Sequence, residues 1–455
     1  MHTDSLDLQN FVDDTQWSTF RKYAKRVKTL RGHEARVPVP IRQDIISALQ
    51  NCPKAYLPLL PNVTELEWSE LSFSSPEDSG ISLFRYFASP GVITVTFSLM
   101  RWRAHSSTEL AVLADLPRLF PNVTSFTLVL RFSWDYVPSQ EVGSMVTQWP
   151  RLQTLQTCAI PQPVMDQLFS QRTLESLHIE YYDSSSIYVG RIPDSVREFT
   201  LGAESPASCA RFLETAYASP TRCRLLIGMN KGQEEEDIEE TFCLLPCRLD
   251  TSRLLSLTIQ PRSSIAGIPM WRTLRLQESL ASSLIEFTAL RELDLDLLCT
   301  AHMSDGDYEC LTRSLGHLQS LKLGTANPSL TRPWPAATVG AVIAVLRHCA
   351  HLEALHMVFD GSIPPPGCAT TQDGKVARLG ETAREGWGVS NRRITKLYVG
   401  YSPIADATVD AIASCFKATM PCLVQIECKA RQEEWRLVQS ILESYHNERC
   451  SVPVA

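Results

Sequence analysis

His348, Cys349, His351 and His356 fall within nine residues, in the run LRHCAHLEALHM. Imidazole and thiolate are the ligands a tetrahedral zinc site takes, so this is the one place where residue types alone suggest metal chemistry. A second soft pair, Cys243 and Cys247 in TFCLLPCRL, has no companion pair at zinc-finger spacing and reads as two core thiols. His33-Glu34 opens a His-Glu-x-x-His zinc-hydrolase arrangement, but Val37 stands where the second imidazole is required. There is no phosphate-cradling Gly-x-x-x-x-Gly-Lys, no Gly-x-Gly-x-x-Gly after a strand and no Gly-x-Ser-x-Gly nucleophile elbow. Whether the four residues around Cys349 act together depends on the elements that carry them.

Those elements are set by a pattern that returns along the chain: an apolar residue, another three positions on, and a third two further on. It reads VTELEW from Val63, VTSFTL from Val123, LESLHI from Leu174, LRELDL from Leu290, LQSLKL from Leu318 and LEALHM from Leu352. This is the strand signature of a leucine-rich repeat. The register residues run Val63, Val92, Val123, Leu152, Leu174, Val196, Leu254, Leu290, Leu318, Leu352, Ile394 and Leu423, after a partial unit at Val27 and Leu30. The step from Val196 to Leu254 is double the usual length and predicts a degenerate repeat near Leu225, Leu226 and Ile227. Between strands lie helical patterns such as TVGAVIAVLRHCAHL and ATVDAIASCFKAT. The expected fold is therefore an α/β leucine-rich-repeat solenoid: an irregular right-handed horseshoe with a parallel sheet on the concave side and helices outside.

The register also decides the histidine cluster. It sets His348 at a helix end, His351 just before a strand and His356 on that strand, so their side chains need not converge. The expectation is no metal, no cofactor and no catalytic residue, with the set forming a polar edge of its repeat.

Residues 1–56 are expected to hold a helical cap and the partial first repeat, 57–430 the solenoid, and 431–455 a closing helix and tail. Asp13 or Asp14 would cap a helix with Trp17, Phe20, Tyr23, Ala24 and Val27 on one stripe. At the other end Trp435, Leu437, Val438, Ile441, Leu442 and Tyr445 would close the core. Loop insertions are expected at about 229–242, which is acidic, and about 360–392, which is rich in Gly, Pro and Thr.

A formal charge of −7 argues against nucleic acid and acidic membranes as partners. The 14 cysteines are scattered, and neither a signal peptide nor a span of ~20 apolar residues is present, which points to free thiols in cytoplasm or nucleus. The sequons at Asn62 and Asn122 both belong to a repeated Pro-Asn-Val-Thr segment, so a structural role is expected in place of glycosylation.

Residues alternating with the buried register positions should face the concave side. They include Glu65, Glu67, His178, Glu180, Glu198, Glu292, Asp294, Asp296 and Tyr398, the candidate partner-binding set. Eight acids against three lysines on this face point to a basic partner segment, centred near Glu292, Asp294 and Asp296. Tyr398 is the candidate aromatic anchor.

WSTFRKYAKRVKTL at Trp17–Leu30 and LPLLPNVTELEW at Leu57–Trp68 resemble the F-box and leucine-rich-repeat proteins of mushroom-forming fungi. The resemblance implies a substrate receptor: an F-box docks on the adaptor of a cullin ubiquitin ligase, and the repeats hold the protein to be ubiquitinated. The sixteen residues before Trp17 are too few for that helical F-box, so the expectation is the target-binding half with the F-box absent. The alternative is a repeat scaffold unconnected to ubiquitination, and an enzyme with scattered catalytic residues is the third reading.

Overall fold

The computed structural model describes residues 13–31, 49, 51–69, 81–99, 107–130, 139–158, 160–182, 188–228, 235–262, 274–276, 278–301, 303–325, 335–368 and 387–450. They form two compact units that divide between Arg197 and Glu198. Among the described residues no helix lies between the strands Ser176–Tyr181 and Glu198–Ala203, which flank the division.

The first unit pairs β1 (Thr29–Arg31), β2 (Glu65–Ser69), β3 (Thr94–Leu99), β4 (Ser125–Leu130), β5 (Thr154–Cys158) and β6 (Ser176–Tyr181) in that order, all parallel. The second pairs β7 (Glu198–Ala203), β8 (Arg222–Ile227), β9 (Ser256–Pro261), β10 (Glu292–Asp294), β11 (Ser320–Leu323), β12 (Ala354–Met357), β13 (Lys396–Gly400) and β14 (Gln425–Cys428), again parallel. Sequential parallel strands with a helical crossover are the leucine-rich-repeat arrangement, and the chain is an α/β solenoid of that class.

Register residues make the core. Val63, Leu66, Val123, Phe126, Leu290, Leu293, Leu352 and Leu355 are all fully buried, as the period-two reading requires. In the first unit the core is an aromatic spine in which each ring meets the next: Trp68–Phe84 at 4.7 Å, Phe84–Phe97 at 4.5 Å, Phe97–Phe126 at 6.2 Å and Phe126–Trp149 at 5.2 Å. Leucine takes the corresponding strand positions through much of the second unit.

Backbone amides bind each strand's lead-in to the next. Ile93 and Thr94 N–H both donate to Thr64 O, Thr124 and Ser125 to Ile93 O, and Gln319 and Ser320 to Arg291 O. The asparagines of the Pro-Asn-Val-Thr segments add a side-chain bond to the preceding repeat, Asn62 Nδ2 to Lys25 O at 2.7 Å and Asn122 Nδ2 to Pro90 O at 2.8 Å. Asn391 does the same with Leu352 O at 2.9 Å. The sequon amides thus have the structural work that their recurrence suggested.

The degenerate repeat is β8, with Cys223, Leu225 and Ile227 buried and Pro220 in the register position. Helices α1 (Asp14–Ala24), α2 (Ser107–Leu119), α3 (Ser139–Val146) and α4 (Gln162–Ser170) belong to the first unit. The second has α5 (Pro206–Thr215), α6 (Glu235–Arg248), α7 (Glu278–Leu284), α8 (Asp305–Ser314), α9 (Val339–His348), α10 (Val409–Thr419) and α11 (Gln432–Cys450), each packed on the next.

Five expectations are corrected. Cys243 and Cys247, expected in the core, are exposed on α6. Of the acidic loop expected at 229–242, residues 229–234 lie outside the described ones, and residues 235–242 form the first turns of α6, where Ile238, Phe242 and Leu245 recur on one buried face. On α1 Asp13 caps as expected, its side chain accepting from Gln16 N–H, but only Trp17 and Ala24 are buried, while Phe20 and Tyr23 are exposed. On α11 Trp435, Val438 and Leu442 face the core, and Leu437 lies on the opposite side, exposed. Finally, β10 ends at Asp294, so Asp296 belongs to the turn beyond it. Of the 360–392 insertion, residues 369–386 lie outside the described ones; Trp387 Nε1 closes its described ends with a 3.1 Å bond to Pro366 O.

β14 is the last strand of its sheet. Its Ile426 N–H donates to the side-chain Oε1 of Gln439 on α11 at 3.2 Å.

Candidate functional site

The helices cover one face of the sheet, and the open face carries the alternating polar residues. In the first unit Glu65 pairs with Arg31 at 3.3 Å and accepts from Thr29 Oγ1. Further along, Glu180 lies beside Cys158 on the adjacent strand, with His178 Nε2 at 3.1 Å from Glu180 Oε1. That contact lacks hydrogen-bond alignment. Cysteine, histidine and glutamate together are the materials of a thiol nucleophile, but burial above all, with the Glu180 carboxylate acting in the same direction, pushes the Cys158 thiol up to about 12. A catalytic thiol needs the reverse, a neighbour that stabilises thiolate. The cluster is built to keep its sulfur protonated.

The second unit holds the larger set. In register, the middle inward positions of β10 to β14 are Asp294, Lys322, His356, Tyr398 and Glu427. Lys322 Nζ is 3.4 Å from Asp294 Oδ2, and the His356 and Tyr398 rings stack with centroids 3.8 Å apart and planes 25° off parallel. Burial raises the Tyr398 phenol above its ordinary value, and the negative charge of Glu427 acts in the same direction. Asp296 Oδ1 accepts from Thr325 N–H at 2.6 Å and from Thr325 Oγ1 at 2.7 Å, while His356 Nδ1 stands 4.0 Å from Oδ2. Burial alone would raise the Asp296 carboxyl, but the imidazole and the two Thr325 donors outweigh it and hold the group below the ordinary carboxylate range.

Glu198 and Glu292 are the exposed members of the predicted set in this unit. Glu198 is engaged by Arg222 at 3.2 Å and Glu292 by Ser256 Oγ at 2.9 Å. Arg222 and Arg224 sit on the open side of the degenerate strand β8, and Arg31 on that of β1. Sequence reading located the degenerate strand without scoring its open face. With these three added to Lys322, Lys396 and Lys429, six bases stand against eight acids, so the acidic bias narrows to Glu292, Asp294 and Asp296. The predicted set is thus split: Glu65, Glu67, His178 and Glu180 lie in the first unit, and Glu198, Glu292, Asp294, Asp296 and Tyr398 in the second.

The four residues around Cys349 go separate ways. Cys349 is buried, its thiol raised to about 12 by desolvation and directed at Leu315 O at 3.6 Å. His348 lies 3.6 Å from Glu309, whose carboxyl is held below its usual range by Arg313 first and by His348 and Arg347 after it. His351 is exposed, and His356 belongs to the open-face stack. Among the described residues no three potential ligands gather for a metal, and no helix is long and apolar enough to cross a membrane.

No family model matches the chain, and no curated protein matches it. Among solved structures it is similar to the leucine-rich repeat-containing protein LegL7 of Legionella pneumophila. That likeness covers 77% of this chain and 92% of the other, at 16% identity and a TM-score of 0.37. The repeat architecture assigned above stands on its own strand register and helix succession.

Proposed function

We propose that this chain is a non-catalytic scaffold that captures a protein partner on the open face of its sheet. One observation supports this most: across β10 to β13 the open face is a polar row fixed by cross-strand contacts, Asp294 to Lys322 and His356 against Tyr398. A face held in place before binding loses less side-chain freedom on binding. Affinity capture with Glu292→Lys and Asp294→Lys variants tests it; partner retention should fall while the melting temperature holds, and undiminished retention by both variants would remove this face from the function.

The finer reading is target recruitment for ubiquitination, the repeats acting as the recognition half of an F-box-type receptor. It rests on the resemblance at Trp17–Leu30 and Leu57–Trp68, where α1 and the strands β1 and β2 stand in succession. Co-purification with a cullin-ligase adaptor is its test. A chain that keeps its partner yet never retains the adaptor is a scaffold of another kind.

A further inference from the structure

Beside the row of Lys322, His356 and Tyr398 the open face drops to a shelf. The first inward positions of β10, β11, β12 and β13 are Glu292, Ser320, Ala354 and Lys396, aligned by the same register that pairs Leu293 with Leu321, Leu321 with Leu355 and Leu355 with Leu397. Two short side chains therefore stand between two long, exposed ones of opposite charge. The taller Lys322, His356 and Tyr398 side chains wall the shelf on one side, and His356 and Tyr398 brace each other through their stack.

Both charged ends retain capacity. Ser256 Oγ occupies Glu292 Oε2, and Oε1 remains open to a second donor. Lys396 Nζ stands 4.0 Å from Glu427 Oε1, beyond hydrogen-bond length, and an ammonium has three donors. Three strand spacings of about 4.8 Å separate the two positions, roughly 14 Å. An extended chain covers that span in about four residues.

We infer that this shelf takes an extended partner segment crossing the strands, with a basic side chain at Glu292 and an acidic one about four residues away at Lys396. Residues between them lie over Ser320 and Ala354, where bulk is accommodated. This rests on the open-face reading above and gives it a partner chemistry: a segment of mixed charge at fixed spacing, in place of a uniformly basic one. Charge complementarity at both ends selects the spacing and orientation of the bound segment.

The test is a random peptide library panned against the full chain and against Glu292→Lys, Lys396→Glu and Ala354→Trp variants, each checked for an unchanged melting temperature. Wild-type protein should enrich peptides with opposite charges about four residues apart. Glu292→Lys should turn the selection to acidic residues at both positions and Lys396→Glu to basic residues at both, each variant binding the wild-type peptides about tenfold more weakly. Peptides lost on Ala354→Trp but indifferent to both charge reversals overturn the charge register and leave open-face capture standing. Peptides that bind Ala354→Trp unchanged overturn both, and a library that enriches nothing on the wild-type chain overturns the shelf inference.

Discussion

Asp296→Asn removes a charge from the turn after β10 while keeping a shape that can still accept from Thr325. The carboxylate receives two short bonds from Thr325, has a side chain 15% exposed and stands next to the His356 imidazole. Hydrogen bonds to a charged acceptor contribute about 1.5–3 kcal/mol against about 1 for a neutral one, so the substitution should cost about 1–2 kcal/mol near neutral pH. The sign of the pH dependence follows from the lowered carboxyl. Its stabilisation is fully present above the unfolded value of 3.8 and is lost as pH falls through the lower folded value. Urea unfolding of wild-type and Asp296→Asn chains at pH 7 and at acid pH should show a gap that closes as the acid limb is crossed. A cost of the same size at both pH values would refute the assignment of a charge-assisted bond, and would point to shape alone.

Two further outcomes follow from burial. Phe126→Ala, which removes a fully buried ring between Phe97 and Trp149, should cost about 3–5 kcal/mol in urea unfolding, with hydrogen exchange rising first in β3, β4 and β5; a loss under 1 kcal/mol would contradict the spine. Iodoacetamide at neutral pH with mass mapping should label the exposed Cys243, Cys247 and Cys310 quickly and spare Cys158, Cys209 and Cys349, whose thiols burial raises to about 12; equal labelling would contradict that packing.

Strand register was legible in the chain because burial alternates with a period of two, which is why β8 could be located from a doubled step alone. Its register residue, Pro220, hid the repeat from the apolar pattern without disturbing its fold. Helix α6 was not legible, since a dense run of carboxylates looks like solvated loop until Ile238, Phe242 and Leu245 are seen on one face. The candidate face was legible as a set of positions but not as a set of partners. Asp296 and Thr325 are 29 residues apart, and His356 meets Tyr398 only because successive repeats bring them onto neighbouring strands. Pairing of that kind depends on repeat lengths, and lengths that vary through loops give no local signal.

Gln439 occupies the place at the edge of β14 where the backbone of one more repeat would otherwise dock. A helical array has no intrinsic last member, because every strand it adds presents the next vacancy. Here a single amide side chain ends the polymer logic of the fold: it spends the Ile426 donor internally and so reduces the templating of that edge by a foreign strand. Anyone lengthening this solenoid by inserting repeats would have to carry α11 and its glutamine outward with the new end, or build a chain that seeds its own aggregation.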